Sequence, residues 1–218
     1  MFKSFPFLLL IVLSVDASGQ RTWDYVAKKT DSLQKSGIDT IVLYRPYSDP
    51  LTQETTDSCM VYDRGYMLWK KEQNLFILQH YEYYNLYNQA KGISSKQYAL
   101  PDTLNLFGYL KDHFQQVVTD TLLPVRLRMV KDNKEIFEDI TYADVRDNAY
   151  TGITVLAGNK SYNNSYSDFY LNDGNIRNVD GTVREKWESL NYQANLNKSI
   201  YQFITRIEKQ VAIVFGWK

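Results

Sequence analysis

The sequence predicts an α+β protein in which several helices pack on a mainly antiparallel sheet. Short β-branched and aromatic runs recur in the N-terminal half with short turn-forming connections between them, which is typical of a meander of antiparallel hairpins. Apolar residues at three- and four-residue spacing mark helices elsewhere, including a long C-terminal helical segment. No internal repeat or low-complexity linker divides the chain, so we expect a single α+β domain over residues 20–218.

The N-terminus has the parts of an export signal, which we assign to residues 1–19. A basic start precedes an apolar segment at 5–15, and Ala17 and Gly19 are small residues of the kind that a signal peptidase reads, with cleavage before Gln20. The apolar segment is about half the roughly 20 residues that a membrane-spanning helix needs. We therefore predict a periplasmic or extracellular protein with no transmembrane span after signal removal; an uncleaved anchor and a buried N-terminal helix are the alternatives.

The first helix of the mature chain has an apolar stripe between a capping residue and a glycine suited to the left-handed position after a helix. The stripe is Trp23, Val26, Thr30 and Leu33, with Thr22 as the cap and Gly37 after the end. A strand follows at 38–47, rich in β-branched residues.

Three strand-like runs then form the predicted meander, at 59–63, 66–70 and 75–83. The first two are joined by Asp-Arg-Gly and the second pair by a polar turn. From Tyr83 the spacing of aromatic and apolar residues changes to three and four, which predicts a short helix ending near Gly92.

The rest of the chain alternates between helical and strand patterns. Residues 99–118 predict a helix with Asp102 near its start and a close packing contact at Gly108, and 124–130 predict a strand. The segment 135–145 fits either type. The predicted strands 151–157 and 165–171 pair across a polar loop.

The C-terminal third is predicted to be helical. Thr182 and Glu185 have the spacing of a capping box, and the polar residues 195–197 predict a bend or a break into two helices. The final helix has its apolar stripe at Ile200, Ile204, Ile207 and Val211.

Composition and motifs exclude several function classes. The charge is balanced at 25 basic and 25 acidic residues and no basic block occurs, so we expect no nucleic-acid partner. Only two histidines occur, at positions 80 and 113, and no metal-ligand spacing or nucleotide-binding motif is present, so we predict no metal and no cofactor. The single cysteine, Cys59, lies in an apolar run and is interpreted as a buried thiol.

Catalytic interpretations remain as alternatives. His80 and Glu82 lie two apart on one strand and thus on one face, where a carboxylate could orient a general base. Cys59 and His80, on adjoining strands, could form a nucleophile and its base. Clustered carboxylates could serve glycoside hydrolysis, although a solvated surface explains them more simply. These carboxylates are Glu135, Glu138, Asp139, Asp144 and Asp147. N-x-S sequons begin at Asn159, Asn163 and Asn197, and matter only in a eukaryotic exported chain.

The tyrosine-rich segment after the third strand is the candidate partner-binding surface. Tyr83, Tyr84 and Tyr87 would give contact area at low entropic cost, and we expect at least two of them to be exposed while Trp69 and Tyr81 are buried. The function that the sequence favours is an exported non-catalytic binding protein of the cell envelope or extracellular space, with a protein or polysaccharide partner. A subunit of an envelope assembly is a third hypothesis, which differs from this one only in the permanence of the contact. The alternative is an exported hydrolase that uses carboxylates or His80.

Overall fold

The computed structural model describes most of the chain. The described residues are 17–46, 55–56, 59–85, 91–140, 150–171, 175–177, 183–186 and 188–215. They form helices packed on mainly antiparallel sheets, which confirms the predicted α+β fold class.

The helices are α1 (Ala17–Lys35), α2 (Leu106–Asp112), α3 (Phe114–Thr119), α4 (Tyr192–Leu196) and α5 (Ser199–Phe215), with a 3-10 helix at Asp168–Leu171. The first strands are β1 (Thr40–Arg45), β2 (Thr55–Thr56), β3 (Cys59–Lys71), β4 (Asn74–Asn85) and β5 (Lys91–Pro101). The later strands are β6 (Val125–Lys131), β7 (Lys134–Ile140), β8 (Tyr150–Ala157), β9 (Lys160–Ser167), β10 (Asn175–Arg177), β11 (Val183–Lys186) and β12 (Glu188–Ser189).

One large antiparallel sheet organises the fold. Its strands lie in the order β5-β4-β3-β1-β8-β9, and β2 pairs with β3. The central strand β1 pairs with β3 on one side and β8 on the other, so that Ile41 lies opposite both Trp69 and Leu156. Ile41 and its neighbour Val42 are both fully buried, as expected for a strand covered on both faces. Two smaller sheets have the orders β10-β11 and β12-β6-β7.

Helices α2, α3 and α5 cover one face of the large sheet and form the main core. The sheet contributes Val42, Tyr44, Tyr66, Leu68 and Ile77 to this core, and α5 contributes Ile200, Phe203, Ile204, Ile207 and Val211. The predicted apolar stripe of the last helix is therefore confirmed, and each of its residues is fully buried.

Helix α1 lies alone, among the described elements, on the opposite face. Val26 packs there with Met67, Trp69 and Leu78 of β3 and β4. Lys29 lies over the Trp69 ring at 5.7 Å and its Nζ donates a hydrogen bond to Gln97 on β5. The predicted first helix is confirmed, and so is the left-handed glycine after it, since Gly37 has a φ of +87°.

The predicted meander needs one correction in its first hairpin. The runs 59–63 and 66–70 belong to one continuous strand, β3, with a bulge between Tyr62 and Arg64. The Asp-Arg-Gly sequence therefore marks an extra residue in the ladder and not a turn. The second predicted turn is correct, because Lys71 pairs with Asn74 across the tight β3–β4 connection, where Glu72 has a φ of 57°.

The short helix predicted from Tyr83 to Gly92 is wrong. Strand β4 continues through Asn85, and β5, which the sequence did not predict, begins at Lys91. In the β4–β5 ladder Tyr83 pairs with Gly92. Sheet pairing thus overrides the helical spacing of the tyrosines, since burial and cross-strand contacts dominate weak local preferences.

The helix predicted at 99–118 is shorter than expected and divided. Its first residues belong to β5, α2 begins at Leu106, and His113 separates α2 from α3. The Asp102 carboxylate accepts hydrogen bonds from the backbone N–H groups of Leu106 (2.7 Å) and Phe107 (3.3 Å). The close contact predicted at Gly108 is confirmed, since a Cβ there would lie 2.2 Å from Asn105 Oδ1.

Later corrections also favour strands. Strand β9 includes most of the segment predicted as a polar loop, and residues 168–171 form the 3-10 helix. The ambiguous segment begins as strand β7. The capping-box prediction is wrong, because Val183–Lys186 forms a strand that pairs with β10; Thr182 itself lies outside the described residues. The predicted break is confirmed, since α4 and α5 are separate helices.

Candidate functional site

A groove with a volume of about 400 Å³ lies between α1 and the half of the sheet that α1 does not cover. Residues from β1, β3, β4, β8 and β9 also line it. Ligand clefts in proteins commonly have volumes of about 300–1,000 Å³, so the groove has room for a small organic ligand or for one end of a longer chain.

A glycine helps to keep the groove open. Gly65 on β3 and Gly152 on β8 both line it, and at Gly152 no side chain fills the space above the strand. Gly152 lies opposite Ser165 of β9, and a Cβ at Gly152 would lie 3.5 Å from Ser165 Cβ. A glycine within a strand often marks a place where another group approaches the backbone closely.

Trp23 forms the outer part of the wall on the α1 side. Its side chain is 56% exposed, whereas Val26, one turn further along α1, is buried. The sequence placed Trp23 in the same core-facing stripe as Val26, and this part of the prediction is wrong. Trp23 lies on the flank of the helix, where it lines the groove, and it leaves the core to Val26 and Leu33.

Hydroxyl and amide side chains line the β8–β9 side of the groove. Thr154 Oγ1 donates a hydrogen bond of 2.7 Å to Asn163 Oδ1 across the two strands, which fixes the orientation of the Asn163 amide. Ser165, two residues further along β9, faces the same groove and is exposed. The two sides of the groove therefore differ: an aromatic and aliphatic side on α1, and a neutral polar side on β8 and β9.

His80 lies at the β4 side of the groove. It is buried, pairs with Gly65 across the β3–β4 ladder and has its ring centroid 6.3 Å from that of Tyr25 on α1. The imidazole occupies the space above Gly65, since a Cβ at Gly65 would lie only 2.6 Å from His80 Cε1.

We expect the change Gly65→Ala to displace the His80 imidazole and to lower the free energy of unfolding by about 1–3 kcal/mol, as overpacking typically does. Urea denaturation of the variant measures this loss. In a His80→Ala background the same change should cost little, because the conflicting ring is gone. An equal loss in both backgrounds would contradict the proposed contact.

Glu82 is buried on the same face, as the sequence predicted for the pair. Its exposed fraction is 3%, and its Oε2 lies 3.5 Å from Thr22 Oγ1, which donates to it. Thr22 lines the groove and also contacts the sheet. It therefore does not cap α1, which begins at Ala17, and the capping prediction is wrong.

The predicted tyrosine surface falls largely on residues that the structure does not describe. The backbone of Tyr83 and Tyr84 lies in β4, while their side chains and the whole of Tyr87 lie outside the described residues. Trp69 is buried, as predicted, and Tyr81 is only half-buried. The surface itself stays a prediction.

The other catalytic candidates do not converge. The described carboxylates of the predicted cluster, Glu135, Glu138 and Asp139, are exposed on β7; Asp144 and Asp147 lie outside the described residues. Cys59 pairs with Asn85 and His80 with Gly65. Cys59 is thus six residues along β3 from Gly65, the residue opposite His80, which corresponds to roughly 20 Å. At that separation Cys59 and His80 cannot act as a nucleophile and its base.

The remaining candidate residues from the sequence are His113 and the three sequon asparagines. His113 is half-buried at the α2–α3 junction, with its ring 4.4 Å from that of Tyr109. Asn159, Asn163 and Asn197 are all exposed.

A second polar cluster lies near α5, where sequence reasoning found nothing. Tyr44 donates a hydrogen bond of 2.8 Å to Glu208, and Thr151 Oγ1 donates to Asp168 at 3.1 Å. Burial, followed by the negative charge of Glu208, raises the pKa of the Tyr44 and Tyr166 hydroxyls. These residues are far apart in the chain and come together only through the β1–β8–β9 ladder and α5, so no local pattern could have identified them.

The pKa of Asp168 is raised, first by burial and then by the charge of Glu208, against the lowering effect of the Thr151 hydrogen bond. A raised carboxyl pKa in the folded state gives stability that is present below the unfolded value of 3.8 and is lost as the pH rises through the folded value. We therefore expect Asp168→Asn to be more stable than the native chain at neutral pH, with the difference shrinking as the pH falls.

Urea denaturation of Asp168→Asn at several pH values checks this expectation. Asp31→Asn, at an exposed position of α1, is the control for loss of a surface carboxylate. A stability difference between Asp168→Asn and the native chain that grows toward acid pH would contradict the assigned direction.

Within the described part of the chain, no group of three or more His, Cys, Asp or Glu side chains is arranged to hold a metal ion. None of the described helices combines the length and apolarity needed to cross a membrane. Comparison of the chain with protein-family models, with curated proteins and with solved structures gives no match.

Proposed function

We propose that this chain is an exported, non-catalytic binding protein of the cell envelope or extracellular space, and that it holds its partner in the groove between α1 and the β8–β9 half of the sheet. The observation that carries the proposal is the groove itself: about 400 Å³ in volume, with Gly152 on its floor, an exposed tryptophan on one side and neutral polar groups on the other. A concave site with an apolar wall and a few polar groups is the usual form of a ligand site.

The export part of the proposal rests on the N-terminal pattern. A cleaved signal would leave Gln20 as the first residue, within α1 and before the groove residue Thr22. The intact mass of the protein purified from its own cells tests this. Loss of residues 1–19 supports export, and retention of Met1 in the protein from the soluble cell interior contradicts it.

A matched pair of tryptophan substitutions tests the groove. Ser165→Trp places a bulky ring in the groove from an exposed strand position, and Glu138→Trp places the same ring on the exposed strand β7. The native chain and both variants, once immobilised, are exposed to an envelope extract, and the retained proteins and polysaccharides are identified. We expect a species that binds the native chain and Glu138→Trp but not Ser165→Trp. The same retained species with all three proteins would contradict the groove as the binding site.

A hydrolase is the second candidate. His80 lines the groove, and Glu82 accepts a hydrogen bond from Thr22, which also lines it. A general base must reach the proton that it abstracts. If His80 acts so, His80→Gln should abolish turnover of a bound ligand and leave its binding. If the groove only binds, ligand bound to the native chain should be recovered chemically unchanged after prolonged incubation.

A further inference from the structure

We infer that the ligand of the groove is a carbohydrate, with a pyranose ring stacked on Trp23 and its hydroxyl groups bonded by Thr154, Asn163 and Ser165. The inference rests on the proposed function, since it names the ligand class for the same site. Three features of the groove support it: the exposed indole, the chemistry of the opposite side and the way the floor is built.

The exposed indole suits a sugar ring. Trp23 is 56% exposed and lines the groove. An aromatic face offers a large, rigid and apolar contact surface. The C–H groups on one face of a pyranose form a flat apolar patch that matches such a ring, whereas the hydroxyl groups at its edge remain free to bond elsewhere.

The β8–β9 side of the groove suits the hydroxyl groups. Hydroxyl and amide side chains both donate and accept hydrogen bonds, and so does each sugar hydroxyl. Thr154 and Asn163 are bonded to each other at 2.7 Å, so the amide is held in place before a ligand arrives. The fixed amide can bond the hydroxyl groups at the edge of a sugar ring, while the exposed indole on the opposite side stacks on the C–H face of the same ring.

The floor of the groove argues against other ligand classes. Strands β1 and β8 each pair on both sides, β1 with β3 and β8, and β8 with β1 and β9, so the backbone groups of these two strands are used within the sheet. A peptide that adds a strand needs an open sheet edge, which among these strands only β9 offers, at the rim of the groove and not on its floor. Arg45 is the sole Lys or Arg among the described lining residues, whereas sites for phosphates and acidic motifs use clusters of such residues.

The test is a binding measurement with defined saccharides. Isothermal titration of the native chain with gluco-, xylo-, manno- and chito-oligosaccharides, and with the polysaccharide fraction of its own envelope, identifies the ligand. Trp23→Ala should then bind about tenfold more weakly or worse, since the substitution removes both the aromatic stacking and the apolar area that the ring buries. Trp23→Phe should keep most of the affinity, and Phe137→Ala, at another exposed aromatic residue, should keep all of it.

Failure of the carbohydrate inference is separable from failure of the binding function. If no saccharide binds while Ser165→Trp still blocks capture of another species from the envelope extract, the ligand class is wrong and the groove remains a binding site. If a saccharide binds equally well to Trp23→Ala, the assigned position is wrong. If no saccharide binds and Ser165→Trp changes nothing, both proposals are wrong.

Discussion

Truncation of Phe203 to alanine is expected to lower the free energy of unfolding by about 3–5 kcal/mol, the range for large-to-small changes in a close-packed core. Phe203 is fully buried at the centre of the main core, and its ring stacks on that of Tyr109 with the centroids 6.3 Å apart and the planes at 9°. It therefore joins α5 to α2 as well as to the sheet. A cavity here removes contacts with both layers at once.

Chemical denaturation of Phe203→Ala and of Ile213→Ala measures this effect. Ile213 lies on the same helix with 66% of its side chain exposed, so its truncation should change stability by no more than about 0.5 kcal/mol. Phe203→Leu should cost less than Phe203→Ala, because it leaves a smaller cavity. Similar small losses at positions 203 and 213 would contradict the packing of α5 on the sheet.

Removal of the Asn195 amide is the second large effect, with an expected loss of about 3 kcal/mol or more. The fully buried side chain accepts a hydrogen bond from Leu123 N–H (2.7 Å) and donates to the carbonyl oxygens of Leu123 (2.9 Å) and Tyr170 (2.8 Å). It thereby ties α4 to the segment before β6 and to the 3-10 helix. Each buried backbone group left without its partner costs about 1–3 kcal/mol.

Two variants separate this role from helix propensity. Asn195→Asp keeps the acceptor for Leu123 N–H but places a carboxylate against two carbonyl oxygens, so it should be at least as unstable as Asn195→Ala. Asn191→Ala removes one exposed hydrogen bond, to the Pro124 carbonyl oxygen, and should cost about 0.5–1.5 kcal/mol. Native-like urea midpoints for both Asn195 variants would contradict the role of the amide.

The sequence predicts the fold class and the strongly periodic elements well. The apolar stripes of α5 and α1 each depend on one buried face, and the apolar run of β1 depends on two; all of these faces are buried in the structure. The break at 195–197 is also correct, although the sequence gives no sign that Asn195 is a buried hydrogen-bonding centre. Polarity alone identified it as an interruption, because its partners lie 72 and 25 residues away.

The errors arise where pairing overrides local spacing. Tyr83 and Gly92 read as the ends of a helix, and in the structure they pair with each other across two long strands. Val183–Lys186 reads as the first turn of a helix and pairs with β10 instead. A strand whose partner is distant in sequence has no local signal for the pairing. A strand with many polar residues, such as β5, also lacks a periodic apolar pattern.

The candidate site was only partly predictable. The two-residue spacing of His80 and Glu82 on one strand correctly predicts that both side chains lie on the same face of the sheet. The groove also depends on Trp23 lying on the flank of α1 and on Gly152 in β8, and their relative position is defined only by how the helix packs on the sheet. An aromatic residue at helical spacing is more simply interpreted as core, which is why Trp23 was assigned there.

The most direct measurement of where the protein holds its partner is site-specific photocrosslinking in the cells that produce it. A benzophenone amino acid replaces Trp23 at the groove wall, where an aromatic side chain is already present, Glu138 on β7 or Tyr84 in the predicted tyrosine surface, one position at a time. Adducts are detected by the mass of the purified protein after irradiation. We expect a discrete adduct from position 23 and none from position 138. Adducts from position 84 with none from position 23 would contradict the groove as the binding site and favour the tyrosine surface instead.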